Sequence, residues 1–151
     1  MMSDLQDLYQ DMIRDHSRAP RNFRKLDPAD REAEGYNPLC GDQVTIYVQL
    51  DGDTIRDVSF QGAGCAIHTA SASMMTGALK GKSLEEANRL FGTFHEMLTG
   101  GRPDSANPEE LGKLAVFSGV CKYPVRVKCA TLAWHTFQAA VKGEGEPVST
   151  E

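Results

Sequence analysis

The stretch that most limits how this chain can fold runs from position 62 to position 75 and reads GAGCAIHTASASMM. It predicts a strand that leads into two glycines, then a cysteine, then a helix of small residues. Gly62 and Gly64 permit backbone conformations closed to other residues and let neighbouring groups approach Cys65. Because Cys65 precedes the helix start, the helix dipole favours its thiolate. A buried structural cysteine is the competing interpretation.

Length and charge define the class of protein. The 151 residues suit a single domain, predicted here over 1–142, with a disordered tail over 143–151. Sixteen basic and 21 acidic residues give a net charge of −5, which weighs against nucleic acid as a partner. Apolar runs are too short for a membrane span. Four cysteines behind an N-terminus unlike a signal peptide indicate a reducing, cytoplasmic location, where thiols bind metals or catalyse.

The first half of the chain predicts one helix, one long loop and a hairpin. Residues 3–16 have a helical apolar stripe, expected to dock on the protein's own core, with a partner-facing surface as the alternative. Residues 17–43 are polar and rich in proline and glycine, which indicates a loop. Alternation over 44–50, a turn at 51–53 and a second apolar segment over 54–61 predict an antiparallel hairpin. A short third strand is expected near the glycines at 62 and 64.

The second half predicts helices. Ser83 and Glu86 have capping-box spacing before an apolar stripe that extends to Leu98. Another helix is expected to begin at 107–109 and to break at 118–119, and the last one to begin around 123–124. On that last helix Val125 and Cys129 belong to the predicted apolar line. Strands followed by helices predict an α+β fold, with an N-terminal helix and several C-terminal helices on a small antiparallel sheet of about three strands.

Three cysteines and one aspartate stand in settings that suit metal binding. Cys40 and Asp42 lie on a loop, Cys65 precedes a helix and Cys129 lies near the start of another. If these segments meet at one end of the sheet, three sulfurs and one carboxylate surround an ion such as zinc, or an iron–sulfur cluster. The spacing alone is a weak signal, because no CxxC pair is present. A solvated turn aspartate is the alternative for Asp42.

For four other residues the sequence gives weaker support for a role in the site. Cys121 lies outside this pattern and is expected to be a buried structural thiol. His68, three positions after Cys65, is expected to be an ordinary polar residue at a helix N-terminus. Lys128 belongs to the polar line of the last helix, where a solvated lysine is the simpler interpretation. Arg126 lies in the first turn of that helix, and the sequence does not decide whether it reaches the thiols.

The motifs taken together resemble the IscU/NifU-type family of iron–sulfur assembly proteins. The resemblance covers most of the chain and is carried by NPLCGD at 37–42, GAGCAI with ASASMM at 62–75, and RVKCATLAW at 126–134. Two features are similar to the zinc-dependent SufU branch of that family. Position 128 holds Lys where the scaffold proteins have His, and the stretch between Cys65 and Cys129 is longer than in those scaffolds.

This resemblance implies a function. A SufU-like protein is a sulfurtransferase that accepts persulfide sulfur from a PLP-dependent cysteine desulfurase of the SufS type and supplies downstream iron–sulfur scaffold proteins. By the same resemblance Cys40, Asp42, Cys65 and Cys129 would hold zinc, Cys40 would be the acceptor, and Arg126 or Lys128 could assist. Two alternatives stay open: a scaffold that assembles a [2Fe–2S] cluster on the same four residues, and a module in which zinc only stabilises the fold.

Overall fold

The computed structural model describes residues 2–99, 111–143 and 148–149. The elements, in chain order, are α1 (Met2–Arg18), β1 (Arg31–Asn37), β2 (Asp42–Asp51), β3 (Thr54–Ala63), α2 (Ala66–Leu79), α3 (Leu84–Leu98), a 3-10 helix (Gly112–Lys122), α4 (Pro124–Lys142) and β4 (Val148–Ser149). No helix among these described residues is both long and apolar enough to cross a bilayer. The predicted α+β class and the antiparallel sheet are confirmed.

The sheet has the strand order β3-β2-β1-β4. The predicted hairpin is confirmed, because β2 and β3 pair antiparallel around a turn in which Gly52 has a φ of +62°. Alternate residues of β2, such as Val44, Ile46 and Val48, are fully or almost fully buried. This alternation is what a strand with one face on the core requires. The strand β3 continues to Ala63, so no separate third strand forms at the glycines.

The prediction of one loop over residues 17–43 was wrong, because β1 lies within it and pairs antiparallel with β2 along its whole length. Its inward positions are Ala33, Gly35 and Asn37, with charged residues or tyrosine between them. Small and polar inward residues hide the apolar alternation that marks a strand. Gly35 is needed at this place, because a Cβ there would collide with the side chain of Thr136 on α4.

Helices α2 and α4 pack on the sheet and on each other, and α1 packs on α2. The partly buried side chains of Tyr9, Met12 and Ile13 contact the core, so this part of α1 docks on its own domain as expected. Trp134 of α4 is 1% exposed and stacks on Phe94 of α3 with ring centroids 4.7 Å apart. From Cys129 to Ala140, α4 is buried nearly all round, which accounts for its mixed small and large apolar residues.

The remaining helix predictions have mixed outcomes. The capping box of Ser83 and Glu86 is confirmed at the start of α3. The break expected at 118–119 was wrong, because the 3-10 helix continues to Lys122. The helix start expected at 107–109 lies outside the described residues. Val125 is 50% exposed and not part of the core, and its neighbours at the start of α4 are exposed as well.

The end of the chain differs in part from the disordered tail that was expected. Val148–Ser149 form a two-residue strand, β4, which pairs parallel with β1 at Gly35 and Tyr36. The sheet therefore has three antiparallel strands and one short parallel strand. The boundary of the domain at residue 142 stays a prediction.

Candidate metal centre

Cys40 lies on the tight turn that joins β1 to β2. Asn37 and Asp42 are paired across the two strands, so only residues 38–41 form the connection. Gly41 has a φ of +70°, in the left-handed region that glycine tolerates best. The Asn37 side chain stabilises the turn, because its Oδ1 accepts a hydrogen bond from the Leu39 N–H at 3.2 Å. This geometry presents the half-buried Cys40 thiol at one end of the sheet, where β1 and β2 are joined.

Asp42 is the first residue of β2, and its side chain is fully buried. Its Oδ1 accepts a hydrogen bond from the backbone N–H of Cys65 at 2.9 Å. Its Oδ2 lies 4.0 Å from the Cys65 Sγ. A carboxylate removed from water is unfavourable unless it is hydrogen-bonded, paired or bound to a metal. The solvated turn aspartate that the sequence allowed is therefore not what the structure shows.

Cys65 lies at the corner between β3 and α2, as the glycine pattern predicts. It is the N-cap of α2, and its Sγ accepts a hydrogen bond from the backbone N–H of His68 at 3.4 Å. Gly62 has a φ of +155°, and a Cβ there would collide with the backbone of Gln43 and Val44 on β2. At Gly64 a Cβ would meet the Asp42 carboxylate and the ring of His68. The two glycines thus let Cys65 approach the strand that carries Asp42.

Cys129 is fully buried near the start of α4. Its Sγ lies 3.1 Å from the Cys40 Sγ, and it accepts a hydrogen bond from the Asn37 Nδ2 at 3.7 Å. Burial raises the pKa of the Cys129 thiol well above its ordinary value, and its hydrogen bonds with Cys40 and Asp42 raise it further.

The structure brings Cys40, Asp42 and Cys129 together and places Cys65 beside Asp42. Among the described residues, Cys40, Asp42 and Cys129 each offer a ligand atom within 4.8 Å of the other two. Cys65 lies outside that mutually close group and approaches it through Asp42. The residues present fit a zinc ion, because thiolates with one carboxylate match its preferred donors and because the Asp42 carboxylate is buried.

Two basic residues on α4 differ in their relation to the thiols. Arg126 is exposed, yet its guanidinium lies close enough to the thiols for Cys65 first, and then Cys129 and Cys40, to raise the pKa of Arg126. Arg126 thus faces the site, a point that the sequence left undecided. Lys128, two residues later on the same helix, is half-buried.

Two sequence predictions beside the site were wrong. Cys121 is exposed and not a buried structural thiol, because the 3-10 helix turns its side chain outward. His68 is 1% exposed and not an ordinary polar residue at a helix start. Burial lowers the pKa of His68, although the charge of Asp42 acts in the opposite direction.

One residue of the site was missed. Asn37 is fully buried and connects the Cys40 turn to Cys129 through the two hydrogen bonds of its side chain. The sequence signal was present, since an asparagine followed by proline is typical of a turn in which the Asn side chain bonds the backbone two residues ahead.

Comparison with known proteins agrees with this geometry. Residues 8–130 match the NifU-like N terminal domain family. The chain belongs to this family. The matched span of the NifU-like domain includes Cys40, Asp42 and Cys65 and ends one residue after Cys129.

Individual relatives of this NifU-like chain carry two kinds of name. It is 43% identical over 141 residues to the iron–sulfur cluster assembly scaffold protein IscU of Streptococcus pyogenes serotype M1, which covers 93% of this chain and 87% of the relative. It is 40% identical over 142 residues to the zinc-dependent sulfurtransferase SufU of Bacillus subtilis, which covers 94% of this chain and 95% of the relative. The crystal structure of FiSufU from Fervidobacterium islandicum AW-1 has 38% identity and a TM-score of 0.81, over 86% of this chain and 93% of that one.

Proposed function

We propose that the protein is a zinc-dependent sulfurtransferase of iron–sulfur cluster assembly. It accepts persulfide sulfur on Cys40 from a PLP-dependent cysteine desulfurase of the SufS type and passes the sulfur to downstream iron–sulfur scaffold proteins in the cytoplasm. The observation that carries this proposal is the placement of Cys40. Its thiol lies on a four-residue turn, while its neighbours Asp42 and Cys129 are fully buried on a strand and a helix.

The transfer step follows from the chemistry of thiols. The Cys40 thiolate attacks the terminal sulfur of the donor's Cys–S–SH group, and a new S–S bond forms between the Cys40 Sγ and that sulfur. The S–S bond of the donor breaks, and its electron pair leaves on the donor cysteine as a thiolate. The proton stays on the transferred sulfur, so the products are a persulfide on Cys40 and a free donor thiolate. The step needs no external oxidant or reductant.

Burial and position favour Cys40 over the other thiols of the site as the acceptor. Cys129 is fully buried, whereas Cys40 and Cys65 are both half-buried. Cys65 is fixed by two hydrogen bonds, one from its own N–H to Asp42 and one from the His68 N–H to its Sγ. A turn closed by Gly41 can move its thiol outward while the strands remain paired.

Cys40, Asp42, Cys65 and Cys129 would hold the zinc ion. Bound zinc keeps coordinated cysteines as thiolates at neutral pH. Arg126 would assist by placing a positive charge beside the thiols, which favours a thiolate and an anionic persulfide. Lys128, half-buried on the same helix, is a weaker candidate for the same role.

The second candidate function is a scaffold that assembles a [2Fe–2S] cluster on the same four residues. The observation in its favour is the 43% identity to a relative named as an IscU scaffold. Against it stands Lys128, because the family resemblance implies His at that place in a scaffold. Both candidates use the same four donor residues. The experiment therefore has to distinguish a permanently bound zinc ion from a [2Fe–2S] cluster that is assembled and passed on.

The test measures zinc content and desulfurase activity together. The sulfurtransferase proposal expects one zinc per chain as purified and stimulation of a SufS-type desulfurase that is lost in Cys40→Ala. Cys121→Ala is the matched control, because Cys121 is an exposed thiol outside the site; it is expected to stimulate normally. Stimulation by Cys40→Ala equal to wild type would contradict the proposal. A stable cluster that passes to an apo-protein would favour the scaffold, and zinc binding without any stimulation would leave a structural zinc module.

A further inference from the structure

His68 is a buried polar residue that the proposed transfer step does not use. It is the third residue of α2 and is 1% exposed, and its Nδ1 has no hydrogen-bond partner within the described part of the chain. Burial of an unpaired polar nitrogen costs free energy that an apolar side chain would avoid. The neighbouring buried positions of α2 hold alanine, serine and methionine, so the helix itself does not demand a histidine.

The groups around His68 belong to three different elements of the candidate metal centre. Its ring faces the Asp42 carboxylate and the backbone carbonyl groups of Gln43 on β2 and Cys129 on α4. Its backbone N–H donates to the Cys65 Sγ at 3.4 Å. His68 therefore lies near three of the proposed ligands, Asp42, Cys65 and Cys129.

Gly64 lies beside both the His68 ring and the Asp42 carboxylate. A Cβ placed on Gly64 would lie 2.8 Å from the His68 Cδ2 and would also collide with the Asp42 Oδ1. The carboxylate and the imidazole thus border the same small space, which only glycine leaves open. Such contacts from a neighbouring residue commonly fix the orientation of a metal-binding side chain.

We infer that His68 is a positioning residue for the metal centre, which holds Asp42, Cys65 and Cys129 in place through its ring and its backbone N–H. The inference rests on the proposed function, because it assumes that those residues bind zinc. It goes further in assigning a role to a histidine outside the ligand set. Residues that support metal ligands in this way typically change metal affinity by about 10- to 100-fold when they are replaced.

The test compares His68→Leu, His68→Gln and His16→Leu with wild type, using zinc alone as the probe. Zinc affinity is measured by competition with a chromogenic chelator, and melting of the metal-free protein is measured separately. We expect His68→Leu to lose about 10-fold or more in zinc affinity, with a metal-free melting temperature that is unchanged or raised because an unpaired nitrogen has been removed. His68→Gln keeps a polar nitrogen and is expected to lose less zinc affinity than His68→Leu. If His68→Leu fails to fold, the zinc affinity of His68→Gln tests the positioning role.

The control separates positioning from general packing. His16 is a half-buried histidine on α1 whose Nδ1 lies 2.7 Å from the Ser73 Oγ, so His16→Leu is expected to lower metal-free stability and leave zinc affinity unchanged. Wild-type affinity in both His68 variants would overturn the inference, and so would an affinity loss in His16→Leu as large as theirs. Zinc binding without desulfurase stimulation would overturn the proposed function alone. The role of His68 is tested by zinc affinity, and that measurement needs no desulfurase.

Discussion

The Sγ atoms of Cys40 and Cys129 lie 3.1 Å apart, although the two residues are 89 positions apart in the sequence. The Cys40 thiol lies on the turn between β1 and β2, and the Cys129 thiol lies near the start of α4. Asn37 links them, since its backbone precedes the turn and its side chain bonds Cys129. The site is therefore a product of the tertiary fold, and its properties depend on residues that are not ligands.

The Asp42→Asn substitution tests the carboxylate as a ligand. The side chain keeps its shape and an oxygen that can accept from the Cys65 N–H, but it loses the charge that a zinc ion requires. We expect zinc affinity to fall by more than about tenfold, measured by chelator competition. The control is Asp57→Asn, which removes ion pairs of Asp57 with Arg24 at 2.8 Å and with Lys80 at 3.6 Å. That variant is expected to lose no more than about 1 kcal/mol of stability and to bind zinc normally, and equal affinities in the two variants would contradict the ligand role.

Replacement of Asn37 by alanine tests the link between the Cys40 turn and Cys129. It removes the acceptor for the Leu39 N–H and the donor to the Cys129 Sγ, so we expect a stability loss of about 1 kcal/mol in urea denaturation. Sulfur transfer by the folded protein should also slow, because the turn is less well defined. Asn88→Ala, which removes an exposed bond to Gln138, should leave transfer unchanged. Normal transfer rates in Asn37→Ala would show that the turn needs no such support.

Gly64 and Gly77 make a matched pair for a test of close packing. A Cβ on Gly64 would meet the Asp42 carboxylate and the His68 ring, whereas a Cβ on Gly77 of α2 would meet nothing within 4 Å. We therefore expect Gly64→Ala to lose about 1–3 kcal/mol of stability and to bind zinc weakly. Gly77→Ala should gain about 0.5–1 kcal/mol, because alanine is the better helix former. Wild-type stability and zinc affinity in Gly64→Ala would refute the tight packing of the corner.

His135 predicts a pH dependence of stability. Burial and, second, the nearby charge of His95 lower the pKa of His135 in the folded chain, and the two rings have centroids 5.8 Å apart. As pH falls through the ordinary histidine value of about 6.5, the unfolded state takes up a proton before the folded state does. The stability that comes from the neutral, buried His135 is therefore fully present above that pH. It is lost as the pH falls toward the lowered pKa of His135 in the folded chain. His135→Phe should flatten the melting temperature between pH 7 and pH 5 relative to wild type, whereas an unchanged slope would assign the dependence to other groups.

Much of the fold could be predicted from periodicity, while β1 could not. The hairpin of β2 and β3 and the capped helix α3 follow from local patterns that match the tertiary structure. In β1 the inward positions hold Ala33, Gly35 and Asn37 because α4 packs closely against them. Small and polar residues fit this narrow space, but they remove the apolar alternation by which a strand is predicted. The strand β1 can therefore be recognised only from the tertiary structure.

In the candidate site, too, the sequence predicts some residues and not others. The motifs singled out Cys40, Asp42, Cys65 and Cys129, and the structure places them together. Asn37 was missed and His68 was misjudged, because the surroundings of both residues include distant segments of the chain. Cys121 was misjudged because free cysteines are usually buried, whereas this one is exposed near the end of the 3-10 helix. Local patterns thus identify chemically reactive residues better than the residues that hold them in position.

The most direct test of the account is to locate the transferred sulfur. The zinc-loaded protein is incubated with a SufS-type desulfurase and cysteine, its thiols and persulfides are alkylated, and its peptides are analysed by mass spectrometry. The account predicts one additional sulfur atom on the peptide that contains Cys40 and none on the peptide that contains the exposed Cys121. Sulfur on Cys121, or no sulfur on Cys40 while the desulfurase turns over, would contradict it.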